Sequence, residues 1–89
     1  MGCTLDAKFQ VERLVIRIFE AGTGRDDLKP ETELDQFGWG SATQFTYYNS
    51  ILASVHARGC ILRFGPSVLG DCETIADVIG KIWKDVSGQ

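Results

Sequence analysis

The sequence predicts an all-α bundle with three principal helices, one short third helix between the last two, and a long first loop. Three observations carry this. Apolar residues recur at helical spacing in three separate stretches. Capping-box patterns stand at the head of two of them, Ser41-x-x-Gln44 and Thr74-x-x-Asp77. No stretch alternates apolar and polar residues beside hairpin turn chemistry, so no strand is expected. At 89 residues the chain is read as one domain, 1–89, with burial enough for one modest core.

The first helix is expected over Asp6–Glu20. Val11, Leu14, Val15 and Ile18 form its apolar rows, Phe9 and Phe19 add to them, and Asp6 is a fair N-cap. Gly22 and Gly24 offer left-handed stop positions. Residues 23–40 then lack a sustained period. Gly24, Pro30, Gly38 and Gly40 punctuate them, and Leu28, Leu34 and Phe37 are spaced anchors. This reads as a long, ordered loop pinned to the core, and connections of that length are uncommon unless functional.

The second helix is expected to begin at Ser41 and to end near residue 58, before Gly59. Its stripe is Phe45, Tyr48, Ile51, Leu52 and Val55. In CILRFGPSVLG, residues 60–70, Gly65 and Pro66 leave room for a single helical turn at 67–70. The last helix starts at Thr74, and Ile75, Val78, Ile79, Ile82 and Val86 give it a clean stripe that Trp83 widens.

Charge narrows the function. The net charge is −3, which provides no footprint for nucleic acid. Eight acids fall within residues 1–35 and none within 36–70. The middle third is therefore either deeply buried or a surface built for uncharged contacts. No apolar run approaches the ~20 residues of a membrane span, and no secretory leader pattern is present. Gly2-Cys3 raises acylation, but Asp6 stands where that pattern wants Ser or Thr and no polybasic stretch supports it. Three cysteines, Cys3, Cys60 and Cys72, are an odd count. That argues against a closed disulfide framework and for buried, reduced thiols in a cytosolic protein.

Catalytic and metal chemistries find little support. His56 and Cys60 are four apart, but Gly59 interrupts the helix and no third group orients the imidazole. His56, Cys60 and Cys72 lack a fourth zinc ligand and any C-x-x-C pair. His56 reads better as a half-exposed residue near a helix C-terminus. GWGS lacks the lysine and spacing of a phosphate loop, and Thr43 stands where a hydrolase elbow needs its second glycine. The loop acids lack EF-hand order. No catalytic residue and no metal ligand is assigned.

Four pieces, spread over about two thirds of the chain, resemble the acyl carrier protein family. DLKPETELDQFGWGS is similar to the family's first loop, with a leucine–x–proline, a spaced apolar anchor, and Gly38 three places before a serine. Ser41 falls where the modified serine lies, at the start of the second helix. Arg63-Phe-Gly-Pro resembles the entry to the short third helix, and Glu73-Thr-Ile-Ala-Asp the entry to the last. The resemblance implies a four-helix acyl-carrier-like bundle with a covalent 4'-phosphopantetheine on Ser41. It implies a non-enzymatic carrier that presents acyl thioesters to partners in a specialised lipid or secondary-metabolite pathway, of the fatty acid or polyketide kind. The implied partners are a phosphopantetheinyl transferase and acyl-processing enzymes, in a cytoplasmic monomer.

The sequence departs from the family at its attachment site, where Gly40-Ser41-Ala42 replaces aspartate–serine–leucine. Its second helix also holds no acid for basic partners to read. The segment between Ser41 and ETIAD is several residues longer than usual. Trp39, Ala42, Tyr47 and Arg58 are the expected partner contacts, although Tyr47 maps to a usually buried family position. Phe45, Ile51, Ile75 and Ile79 are the expected walls of an acyl pocket. The departures also support an alternative, a carrier-like interaction module that is not phosphopantetheinylated.

Overall fold

In the computed structural model, which describes residues 2–89, α1 spans Lys8–Thr23 and its stripe of Val11, Leu14, Val15 and Phe19 is buried. Its head differs from expectation. The helix begins two residues after Asp6, which is exposed and caps nothing. Ala7 is the N-cap residue, and Gln10 reaches back instead. Gln10 Oε1 accepts the Asp6 and Ala7 N–H groups at 2.6 and 3.0 Å. At the other end the helix runs through Gly22 and stops at Gly24, which takes the left-handed conformation (φ 71°). The Gly24 N–H closes on Glu20 O at 2.8 Å.

The first loop is ordered by its anchors, as its sequence predicts. Leu28 and Leu34 are buried and Phe37 is half-buried, with a short 3-10 helix at Leu34–Phe37. Backbone bonds tie this loop to the last helix, α3, which spans Ile75–Val86. The Ile75 N–H donates to Thr32 O at 3.1 Å, and Ala76 N–H donates to Pro30 O at 2.7 Å. Leu34 N–H donates to Glu73 O at 2.9 Å, so Glu33 and Thr74 form an isolated antiparallel bridge. The first-turn donors of a helix have no partner within it, and here loop carbonyls take two of them. The predicted capping box adds a side-chain bond from Asp77 N–H to Thr74 Oγ1 at 3.3 Å. Asp77 Oδ2 accepts the Glu73 and Thr74 N–H groups at 2.9 and 3.1 Å.

The second helix, α2, spans Ser41–Ala57. A 3-10 helix at Pro66–Asp71 follows where a short turn is predicted. No strand is present among the described residues. Helix α1 packs on both α2 and α3, while α2 packs on the 66–71 segment. Between them lie Val11, Val15, Phe19, Leu34, Ile51, Val55, Leu69, Ile75, Val78 and Ile82, each fully buried. At ~1.5–3 kcal/mol per large apolar side chain, this contiguous set is the main source of stability.

Two expectations about α2 are corrected. Phe45, placed on the apolar stripe by its spacing, is 56% exposed. Tyr47, expected as a partner contact, is buried with 7% exposure. The cause lies on α1. Gly22 leaves space that the Tyr47 ring fills, since a Cβ there would sit 2.7 Å from Tyr47 Cε1. That rotates the inward face of α2 toward residue 47 at its N-terminal end and turns Phe45 outward.

The cysteines are the third correction. Cys3 and Cys60 form a disulfide across 57 residues of chain, and only Cys72 is free and buried. Gly59 (φ 76°) turns the chain after α2 so that residue 60 meets the N-terminal segment, and Gly2 O lies 2.8 Å from where a Gly59 Cβ would stand. The Thr4 N–H donates to Arg58 O at 2.9 Å, and Leu5 is buried beside this closure. The expectation of reduced thiols therefore holds for Cys72 alone. With Cys3 in this bond, the Gly2-Cys3 pair offers no free thiol for acylation. No helix among the described residues is long and apolar enough to cross a membrane.

Candidate functional site

The loop–helix junction around Ser41 is assembled by two glycines and a tryptophan. Gly38 takes the left-handed conformation (φ 65°), and Gly40 N–H returns to Gly38 O at 2.8 Å. Between them Trp39 points into the fold. Its Nε1–H donates to Leu69 O at 2.9 Å, and its ring lies 5.8 Å from Phe19 and 5.9 Å from Tyr47. Trp39 is thus half-buried and serves chiefly as the pin that fixes the junction. Its aromatic body packs on the core while its one polar edge is satisfied.

Gly40, in extended backbone, is the N-cap of α2, and Ser41 is its first helical residue. The expected Ser41–Gln44 capping box is not made. Gln44 N–H bonds to Gly40 O at 2.9 Å, and no side chain caps the helix. Ser41 is consequently exposed, and its hydroxyl makes no hydrogen bond among the described residues. A Cβ at Gly40 would meet nothing within 4 Å, so the approach to Ser41 is open on that side. The Ser41, Ala42 and Thr43 N–H groups at the helix head have no backbone partner among the described residues. Such a helix end favours a negative group by ~0.3–1 kcal/mol.

Of the expected contacts, Ala42 and Arg58 are exposed at opposite ends of α2, and the Arg58 carbonyl receives both Thr4 donors. His56 is exposed in the last turn. Cys60 is committed to Cys3, which removes it from any dyad or ligand set with His56. The Cys72 thiol is pushed up to about 11, mainly by burial and further by Asp77. A thiol so poised is not a nucleophile at neutral pH.

The expected acyl pocket is not formed as drawn. Ile51, Ile75 and Ile79 are closed into the core, and Phe45 stands outside it. Ile79 alone borders an opening, a groove of about 310 Å³ with Phe9 and Pro30. Near the junction, a groove of about 480 Å³ runs past Trp39 and Gln44 between Asp35 and Glu73. Acids therefore flank α2 from the loop and from the α3 entry, while α2 itself carries none.

A groove of about 760 Å³ opens between the C-terminal half of α1 and the Thr43–Ser50 stretch of α2. Tyr47 and Phe37 face it beside Ile18 and Gly22. Sequence reasoning missed it. Its signal was the i, i+3, i+7 run of Thr43, Thr46 and Ser50, which places hydroxyls on one face of α2. The remaining lining includes Arg25, whose guanidinium is bound at 2.9 and 3.0 Å by Asp27 and at 2.9 Å by Gln36. No family model, no curated protein and no solved structure matches the chain.

Proposed function

We propose that this chain is an atypical acyl carrier, modified at Ser41, serving a specialised lipid or secondary-metabolite pathway. The observation that carries the reading is the exposed, unbonded Ser41 hydroxyl at the first position of α2. The open flank at Gly40 and the unpartnered donors at the helix head fit a phosphodiester there. When bound, a 4'-phosphopantetheine arm supplies a terminal thiol on which an acyl group is held as a thioester. The chain's own contribution is to hold the hydroxyl clear of the core and to fix the junction through Trp39. The transferase and acyl-processing enzymes, a cytoplasmic setting and a monomeric state belong to the same proposal, and of these the cytoplasmic setting has the Cys3–Cys60 bond against it, since disulfides are rare there. Docking would rest on uncharged contacts at Ala42 and Phe45, with acids supplied by Asp35 and Glu73 rather than by α2.

The test is to coexpress the chain with a broad-specificity phosphopantetheinyl transferase and CoA and to weigh the intact protein. A mass gain abolished by Ser41→Ala is expected. No gain, or a gain that survives that substitution, overturns the reading.

A second reading follows from Phe45, which stands 56% exposed on a helix without acids. In it, the chain is an unmodified interaction module that docks through Phe45, Asn49 and Arg58, all exposed. Partner capture that persists in Ser41→Ala and fails in Phe45→Ala would favour it.

A further inference from the structure

We propose that the Cys3–Cys60 bond is a redox latch. A dithiol reductant opens it, and residues 2–5 then swing off the end of the bundle while the rest of the fold stays closed. The latch lies just beyond the C-terminal end of α2, the far end from Ser41, so it goes beyond the carrier reading and does not depend on it.

The two sulfurs stand on segments that are held very differently. Cys60 N–H donates to Val55 O at 3.1 Å, and the residues after it are tied to α3. Ile61 N–H donates to Gln89 Oε1 at 2.8 Å, Gln89 Nε2–H returns to Ile61 O at 2.8 Å, and Arg63 N–H donates to Asp85 Oδ2. None of these bonds needs the disulfide. Residues 2–5 have no comparable hold. Both Thr4 donors, the N–H at 2.9 Å and Oγ1–H at 3.1 Å, go to a single acceptor, Arg58 O. Leu5 is the one side chain of the strap that is buried. The next ties are at Asp6 and Ala7, whose N–H groups Gln10 fixes to the head of α1. A hinge is thereby defined before α1. The chain from residue 6 onward is anchored to the helix, and residues 2–5 set a few small contacts against the entropy of ordering four residues. The disulfide decides that balance by holding residue 3 within reach of its seat.

Access to the bond is as uneven as its support. Cys60 is 2% exposed, whereas Cys3 is half-buried and borders a groove of about 310 Å³ between the strap and α3. The thiolate of a dithiol therefore attacks the Cys3 sulfur. The S–S bond breaks, a mixed disulfide forms on Cys3, and Cys60 leaves as a thiolate that takes a proton from water. The second thiol of the reductant, deprotonated in turn, attacks the reductant's own sulfur in the mixed disulfide. Cys3 leaves and is protonated. Two electrons pass to the chain, which gains two thiols, and the reductant ends as a cyclic disulfide. Trp83 and Val86 of α3 line the same groove as Leu5. Departure of the strap would uncover them, so the reduced form carries an apolar patch that the oxidised form lacks.

The test compares the full chain at neutral pH before and after dithiothreitol, without denaturant, by NMR. On reduction, exchange of the Thr4 N–H should accelerate at least tenfold and the Leu5 methyl signals should move to random-coil positions. The Ile61, Val78 and Ile82 amides should keep their protection, which marks a local opening rather than unfolding. Reoxidation should restore the first pattern. Cys3→Ser should show the reduced pattern without reductant and no further response to it. Four results overturn the proposal: a chain purified without reductant that lacks the bond, a bond that dithiothreitol cannot reach in the folded state, a Thr4 exchange rate that reduction leaves unchanged, or loss of protection at Ile61, Val78 and Ile82 together with Thr4. The mass measurement at Ser41 is independent, so the two proposals fail separately.

Discussion

Tyr47 lies nearly flat on Phe19, with ring centroids 4.3 Å apart and planes 14° from parallel, and the contact is possible because residue 22 has no side chain. Two effects oppose each other in Gly22→Ala. Helix propensity favours alanine by up to ~1 kcal/mol. The new methyl, however, would stand 2.7–2.8 Å from Tyr47 ring atoms, and overpacking of this kind costs ~1–3 kcal/mol. A net loss of stability in urea melts is expected. In a Tyr47→Ala background the same substitution should become neutral or stabilising, a coupling that a double-mutant cycle would read.

Ser41→Ala should leave folding stability within ~0.5 kcal/mol of the parent, because the hydroxyl caps nothing. A loss above ~1 kcal/mol would restore the capping role that its sequence context suggests.

Trp39→Phe would strip Leu69 O of its only side-chain donor, at a residue with 0% exposure. Leu69 O keeps the Cys72 N–H at 3.2 Å, so the loss is that of one hydrogen bond, ~0.5–1.5 kcal/mol. Chemical denaturation should show that loss.

Reduction of the Cys3–Cys60 bond, or Cys60→Ser, should destabilise the chain. The bond spans 57 residues, for which the chain-entropy account gives about 4 kcal/mol, and measured losses are commonly ~2–5. A midpoint in urea unmoved by reductant would show the bond to be energetically idle.

The α3 cap should be acid-sensitive. Backbone N–H groups of Glu73 and Thr74 hold the Asp77 carboxyl below its ordinary 3.8. A depressed folded pKa contributes stability above the unfolded value and loses it as pH falls through the folded one. Asp77→Ala should therefore cost stability at pH 7, and the gap should narrow below about pH 4. Thr74→Ala should cost about 1 kcal/mol. Parallel urea melts of both variants across pH 3–7 check both.

Much of this architecture is legible in the residues. The α3 stripe and its Thr74–Asp77 box appear as expected, as do the Leu28 and Leu34 anchors and the break at Gly59. What periodicity could not resolve was set by contacts far apart in sequence. The rotation of α2 that buries Tyr47 and expels Phe45 depends on Gly22, which lies across the whole first loop on another helix. A glycine near a helix end reads as a stop signal, and only the packing partner shows it to be a clearance. The disulfide was hidden by arithmetic. An odd number of cysteines says that one is left over, not that the other two are apart. Ser41 was legible as the head of α2. Its freedom was not, because Gly40 took the cap position that serine usually claims.

The stitching of residues 30–34 to the start of α3 also bears on motion. Pro30 O and Thr32 O hold the Ala76 and Ile75 donors, and Glu73 O holds Leu34 N–H. Detaching that part of the loop would therefore fray α3 at its first turn and lift Leu34 from its fully buried seat. Residues 30–34 and the opening turn of α3 should thus open as one cooperative unit, and hydrogen–deuterium exchange at Leu34, Ile75 and Ala76 is expected to rise and fall together. A partner that levers the loop aside would be felt at once in the opening turn of α3, through backbone bonds alone.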